Sequence, residues 1–190
     1  MREYAREKAG AAGVDVSFVL SEMERFELPG GAFDLVSCML VSCSYLLDNE
    51  TFLHHLDQVA DHLVDGGVYV LELVHPRDVL TPDASTVSTW SMERDGTHVE
   101  VTWGQPDDPY DPITQVRQTT VEIRVRDEEG ERTFWETSPQ REFTANEIDA
   151  LVRASGRFRV VASFGSPDVD VPFDNDKRAW RMVPVLQKMS

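Results

Sequence analysis

The clearest pattern in this chain is a pair of short apolar runs, 33–39 and 67–74, flanking a segment of helical period. The first run is Phe33-Asp34-Leu35-Val36-Ser37-Cys38-Met39. In the segment between the runs Phe52, Leu53, Leu56, Val59, Ala60 and Leu63 share one face, which predicts a helix over 50–64 capped by Asp48 or Asn49. Runs of this length suit buried parallel strands, and Gly66-Gly67 reads as the turn that launches the second. The whole is a βαβ unit. Polar residues just past such strands usually line a ligand crevice.

The flanking pattern extends this architecture. Residues 2–12 have helix-forming composition with Gly13 at the C-terminal position, and Val14 to Leu20 alternates as a strand. Leu28-Pro29-Gly30-Gly31 marks a turn. From Thr86 to Ser138 the period becomes two. Asp95-Gly96 joins one hairpin over 89–103, and Asp127-Glu128-Glu129-Gly130 joins another over 116–137. Half-polar alternating strands of this kind are antiparallel and one-sided, so 86–138 is expected as an inserted lid. Thr144 and Glu147 have capping-box spacing for a helix ending at Gly156. Strands are expected at 158–164 and 180–187. The expectation is one α/β domain over 1–190.

Composition narrows the function. A chain of 190 residues holds one domain with a core. The net charge of −16, from 34 acidic and 18 basic residues, opposes phosphate backbones, and no basic patch appears, so nucleic acid is not expected as a partner. No apolar run approaches the ~18 residues a spanning helix needs, so no membrane partner is expected. The charged N-terminus lacks the apolar stretch of a secretory signal. Cys38 and Cys43 are too few and wrongly spaced for a zinc site. They read as buried structural thiols in a reducing cytoplasm.

Taken together, "YAREKA", "VSFVLSEM", "FDLVSCM", "HLVDGGVYVLEL" and "FTANEIDALVRASGRF" resemble a class I S-adenosylmethionine-dependent methyltransferase. The resemblance covers nearly the whole chain outside 86–138, where small-molecule members often carry a substrate lid. It implies a Rossmann-like α/β sheet with an inserted antiparallel β lid, and methyl transfer to a small molecule. The match begins after the family's first two strands, so the glycine-rich cofactor loop is not in this sequence. Gly10-Ala11-Ala12-Gly13 closes a helix, whereas such a loop must open one. The sheet is therefore expected to be partial, and cofactor binding by this chain alone weak or absent. Removing two strands from the family order leaves a gap of about 10 Å beside 14–20, and open strand edges invite a homodimer.

The resemblance implies roles residue by residue. Glu22 falls where an acidic residue accepts the adenine amino group, and Met23 where an apolar residue meets the ring. Cys38 and Met39 fall where backbone groups meet the cofactor's amino acid part. His75 lies past the fifth family strand as a candidate base, with a structural histidine beside Pro76 as the alternative. Tyr45 is a candidate pocket residue, with a core-rim aromatic as the alternative. His54 and His55 diverge by about 100° on a helix, cannot share a metal, and are expected at the surface. Trp90, Trp103, Trp135 and Tyr110 are expected to pack across the hairpins. The rival functions are a non-catalytic remnant or partner subunit acting as a binding or dimerisation module, and an α/β hydrolase. The hydrolase lacks a Gly-x-Ser-x-Gly nucleophile elbow.

Overall fold

The computed structural model describes residues 2–80 and 87–190. In chain order the elements are α1 (Arg2–Ala11), β1 (Phe33–Cys38), a 3-10 turn (Ser42–Tyr45), α2 (Asn49–His62), β2 (Leu63–Leu71), β3 (Leu73–Val74) and α3 (Pro76–Leu80). Then follow β4 (Ser88–Arg94), β5 (Thr97–Trp103), β6 (Tyr110–Asp111), β7 (Val116–Asp127), β8 (Gly130–Arg141), α4 (Ala145–Ser155), β9 (Phe158–Phe164) and β10 (Arg181–Lys188). Thr86, the expected start of the insertion, lies outside the described residues.

The first sheet is built on the βαβ unit. β1 runs parallel to β2, and β10 enters antiparallel between β2 and β9. β3 continues β2 along β10 after a break at Glu72. The cause of that break is legible in β10. Val185 pairs with Val70, which places Pro184 opposite Leu71, and proline has no N–H to give to a ladder. α2 and α4 cover one face. Phe52, Leu56, Val59, Ile148, Leu151 and Val152 pack there with Tyr69, Leu71, Phe158 and Leu186. Each such side chain, fully buried, contributes roughly 2 kcal/mol.

Two local expectations hold in detail. Asp48 caps α2 by accepting the Thr51 N–H, and Thr144 with Glu147 forms the capping box of α4. Two others are corrected. Gly66-Gly67 does not precede β2 but lies within it, at the register shift between Phe33 and Leu35. A Cβ on Gly67 would sit 2.8 Å from the Val64 carbonyl oxygen, so the backbones approach too closely there for any side chain. The strand expected at 14–20 is absent: these residues are irregular, and Leu20 is 82% exposed. Among the described residues β1 pairs only with β2, so 14–20 has no neighbour to supply a ladder.

The second sheet is antiparallel, in the order β4-β5-β7-β6 with β8 also on β7. Its hairpins follow the turn chemistry, with Asp95 and Gly96 both at positive φ. Trp90, Val101, Ile123 and Phe134 form one cross-strand row. Trp90 and Phe134 remain 43% and 55% exposed, so these aromatics are only half covered by cross-strand packing.

Candidate functional site

The backbone past β1 is unusual. Leu40 and Val41 stand at φ 56° and 59°, the left-handed region that a β-branched residue such as valine strongly disfavours. Strain of this kind persists only when the surroundings over-determine it. Here they do. Glu72, freed from the β10 ladder, donates its N–H to the Cys38 carbonyl at 2.9 Å. Its buried carboxylate accepts the Leu40 N–H at 2.8 Å through Oε2 and pairs with Arg181 Nε at 2.9 Å through Oε1. Ser42 then donates Oγ–H to the Met39 carbonyl at 2.8 Å.

Beneath this loop lies a connected polar network. Cys43 Sγ is 3.3 Å from Cys38 Sγ and 3.5 Å from the Tyr69 hydroxyl, and Cys38 Sγ is 3.9 Å from Met23 Sδ. His55 Nδ1 is 2.7 Å from the Met23 carbonyl, which can only accept, so Nδ1 carries the proton. Nε2 then accepts the Tyr69 O–H at 2.6 Å. Burial holds His55 below its ordinary value and so keeps this neutral tautomer. His55 is therefore a core residue, contrary to the surface position expected for it. Its place on the Phe52, Leu56, Val59 stripe of α2 was the available signal.

The sequence-named residues divide into three groups. Met23 and Cys38 meet at the carboxyl end of β1, where Met39 follows in the chain. Glu22 lies close by in sequence but is exposed on an irregular segment, since no strand ends there. Tyr45 is 48% exposed, with its hydroxyl 3.4 Å from Gln140 Nε2 at the end of β8. His75 is buried. Its Nε2 faces the Asp174 carbonyl at 3.0 Å, and its Nδ1 accepts the Arg77 N–H at 3.1 Å. Both nitrogens are thus engaged. With Arg77, whose guanidinium reaches the carbonyls of Asn175, Asp176 and Ala179, it pins loop 173–179. A cavity of about 500 Å³ opens there, lined by His75, Thr144, Asn146, Phe173 and Asn175.

Glu72 and Arg181 were missed as site residues. A carboxylate interrupting the apolar run Val-Tyr-Val-Leu-Glu-Leu-Val was the signal. Among the described residues no group of three His, Cys, Asp or Glu side chains could hold a metal ion, and no helix is long and apolar enough to cross a membrane.

This arrangement of a five-stranded mixed sheet, its covering helices and a second antiparallel sheet has counterparts among solved structures. An S-adenosylmethionine-dependent methyltransferase from Clostridium acetobutylicum matches 98% of the chain and 70% of its own length, at 17% identity and TM-score 0.74. DesVI from Streptomyces venezuelae matches 99% of the chain and 70% of its own, at 24% identity and TM-score 0.74. An amino pentose methyltransferase from Micromonospora echinaspora, solved with S-adenosylmethionine bound, matches 89% and 63%, at 22% identity and TM-score 0.63. The chain thus spans 63% to 70% of the length of these proteins. No protein-family model and no curated protein matches the sequence. The fold is that of class I S-adenosylmethionine-dependent methyltransferases, with a Rossmann-like sheet.

Proposed function

We propose that this chain forms the acceptor half and the adenine rim of an S-adenosylmethionine-dependent methyltransferase acting on a small molecule. The observation that carries this reading is the strained Leu40–Val41 backbone held by Glu72 at the carboxyl end of β1, the edge at which α/β sheets bind ligands. The amino pentose methyltransferase among the structural neighbours supports a small-molecule acceptor.

When bound, S-adenosylmethionine supplies a methyl group already activated on a sulfonium, so the protein's share is in-line positioning and exclusion of water. Met23 and Glu22 would hold the adenine rim, and the backbone at Cys38 and Met39 the amino acid part. The glycine-rich loop is not among these 190 residues, so cofactor binding needs a further segment. Acceptors enter from the cavity beside His75, with the β4–β8 sheet as lid and Tyr45, on Gln140 at the end of β8, as a further acceptor contact. His75, hydrogen-bonded at both nitrogens, positions loop 173–179.

A second reading, a non-catalytic binding or dimerisation module, is favoured by the outer edge of β1, where Leu35 is 60% exposed. Calorimetric titration with S-adenosylhomocysteine separates the two. The expected result is no micromolar binding by residues 1–190, and micromolar binding once the chain is extended by whatever the upstream reading frame encodes. Binding by the 190 residues alone overturns the need for a further segment. Absence of binding in an extended chain that contains a glycine-rich loop overturns methyl transfer.

A further inference from the structure

We infer that Cys38 and Cys43 form an oxidative modification site, a dithiol that peroxide converts to an intramolecular disulfide across the loop at the end of β1. Four observations carry this. The two sulfurs are already in contact at 3.3 Å, a little over 1 Å beyond a disulfide bond of about 2.05 Å. The pair is asymmetric: Cys38 is half-buried and Cys43 fully buried, which makes Cys38 the sulfur a small oxidant reaches. Cys43 directs its S–H at Cys38 Sγ, and that hydrogen bond lowers the Cys38 thiol below its ordinary value. The same contact, followed by burial, pushes the Cys43 thiol up. Access and hydrogen-bond direction together make Cys38 the attacking sulfur and Cys43 the one that resolves it.

The chemistry balances. The Cys38 thiolate attacks one oxygen of hydrogen peroxide, the O–O bond breaks, and hydroxide leaves, giving a sulfenic acid. Cys43 sulfur then attacks Cys38 sulfur. The S–O bond breaks, and the hydroxyl departs with the Cys43 proton as water. The first hydroxide takes up the proton that Cys38 released, so two thiols and one peroxide give one disulfide and two waters. The new bond closes a ring around Met39, Leu40, Val41 and Ser42, the loop in which the left-handed residues sit. It also draws Cys43 away from the Tyr69 hydroxyl. The modification stands without the methyltransferase reading; only an effect on cofactor binding rests on it.

The test treats the full chain with hydrogen peroxide, blocks remaining thiols with iodoacetamide, and maps the peptides by mass. The expected product is a monomer lighter by two hydrogens, with residues 38 and 43 cross-linked, restored by dithiothreitol. In Cys43→Ala the sulfenic acid at Cys38 should accumulate and be trapped by a cyclic dione, with the first step slowed by about ten-fold because the S–H donor is gone. In Cys38→Ser no cross-link should form. Unreacted thiols in the wild type, a disulfide between chains, or Cys38 running on to sulfinic acid with Cys43 untouched would each overturn the inference, and these wild-type results do not depend on either variant folding. An intramolecular disulfide in a chain that never binds S-adenosylhomocysteine, even when extended, upholds this inference while removing the functional reading above.

Discussion

The buried carboxylate of Glu72 accepts the main-chain N–H of Leu40 at 2.8 Å, and this contact ties the loop past β1 to the break between β2 and β3. The same carboxylate pairs with Arg181, so one side chain fixes a strained backbone and balances a cation. Removing it leaves the Arg181 Nε–H and the left-handed Leu40 N–H without an acceptor. Glu72→Ala should therefore lower stability by about 3 kcal/mol, within the range for breaking one side of a buried pair. Glu72→Gln keeps an acceptor oxygen and should lose roughly half as much. Urea unfolding midpoints check both values, and equal losses in the two variants would argue against the acceptor role.

Gly165 closes β9 against the returning chain. A Cβ there would lie 2.5 Å from the Pro172 carbonyl oxygen and closer still to Ala179, where the backbone cannot give way. Gly165→Ala should cost about 3 kcal/mol through overpacking and should loosen loop 173–179 over the cavity. Gly10 in α1 is the control: a methyl group on it would meet nothing within 4 Å, so Gly10→Ala should gain up to about 1 kcal/mol from helix propensity. Thermal unfolding of the two variants should move in opposite directions.

Burial keeps His55 neutral, and this gives stability a defined pH dependence. The folded ring binds its proton less readily than the unfolded one, so unfolding in mild acid takes up a proton. The stability is fully present above the ordinary histidine value of about 6.5 and is lost as the pH falls below it. Glu142 has the opposite sign, since burial raises its carboxyl above the usual range, and its contribution falls as the pH rises through that range. Comparing wild type with His55→Leu isolates the histidine. The variant should be less stable at pH 7.5 by about 2 kcal/mol, because Tyr69 and the Met23 carbonyl lose their partner. It should also lose part of the destabilisation that the wild type shows between about pH 7 and pH 5.5. An unchanged slope would place the proton uptake elsewhere.

What the sequence disclosed follows from how local each feature is. The apolar runs of β1 and β2, the capping box at Thr144 and Glu147, and the Asp95-Gly96 turn depend on neighbours a few residues away, and all were legible. The alternation of Val14, Val16, Phe18 and Leu20 records which side chains share a face, but a strand also needs a partner's backbone, and that partner is a non-local fact. The same limit hid the His55–Tyr69 pair, which depends on how α2 rolls against β2. The class of fold was readable because its order of elements was. The anchoring of the Leu40 loop was not, because Glu72 and Arg181 are distant in sequence and meet only through the β10 register.

The outer edge of β1 supplies the last prediction. Among the described residues it faces no other strand, and it carries Phe33 and Leu35 at 39% and 60% exposure. An open edge with apolar side chains templates pairing with a second chain, and natural edges suppress this with lysine. Leu35→Lys places such a charge on the mostly exposed face of the strand. Its effect on unfolding free energy should stay within about 0.5 kcal/mol. Its effect on association should be large: in sedimentation velocity the wild-type chain should grow heavier with concentration, and the variant should remain monomeric. A wild type that stays monomeric throughout, or a variant that associates equally well, would exclude this edge as the contact.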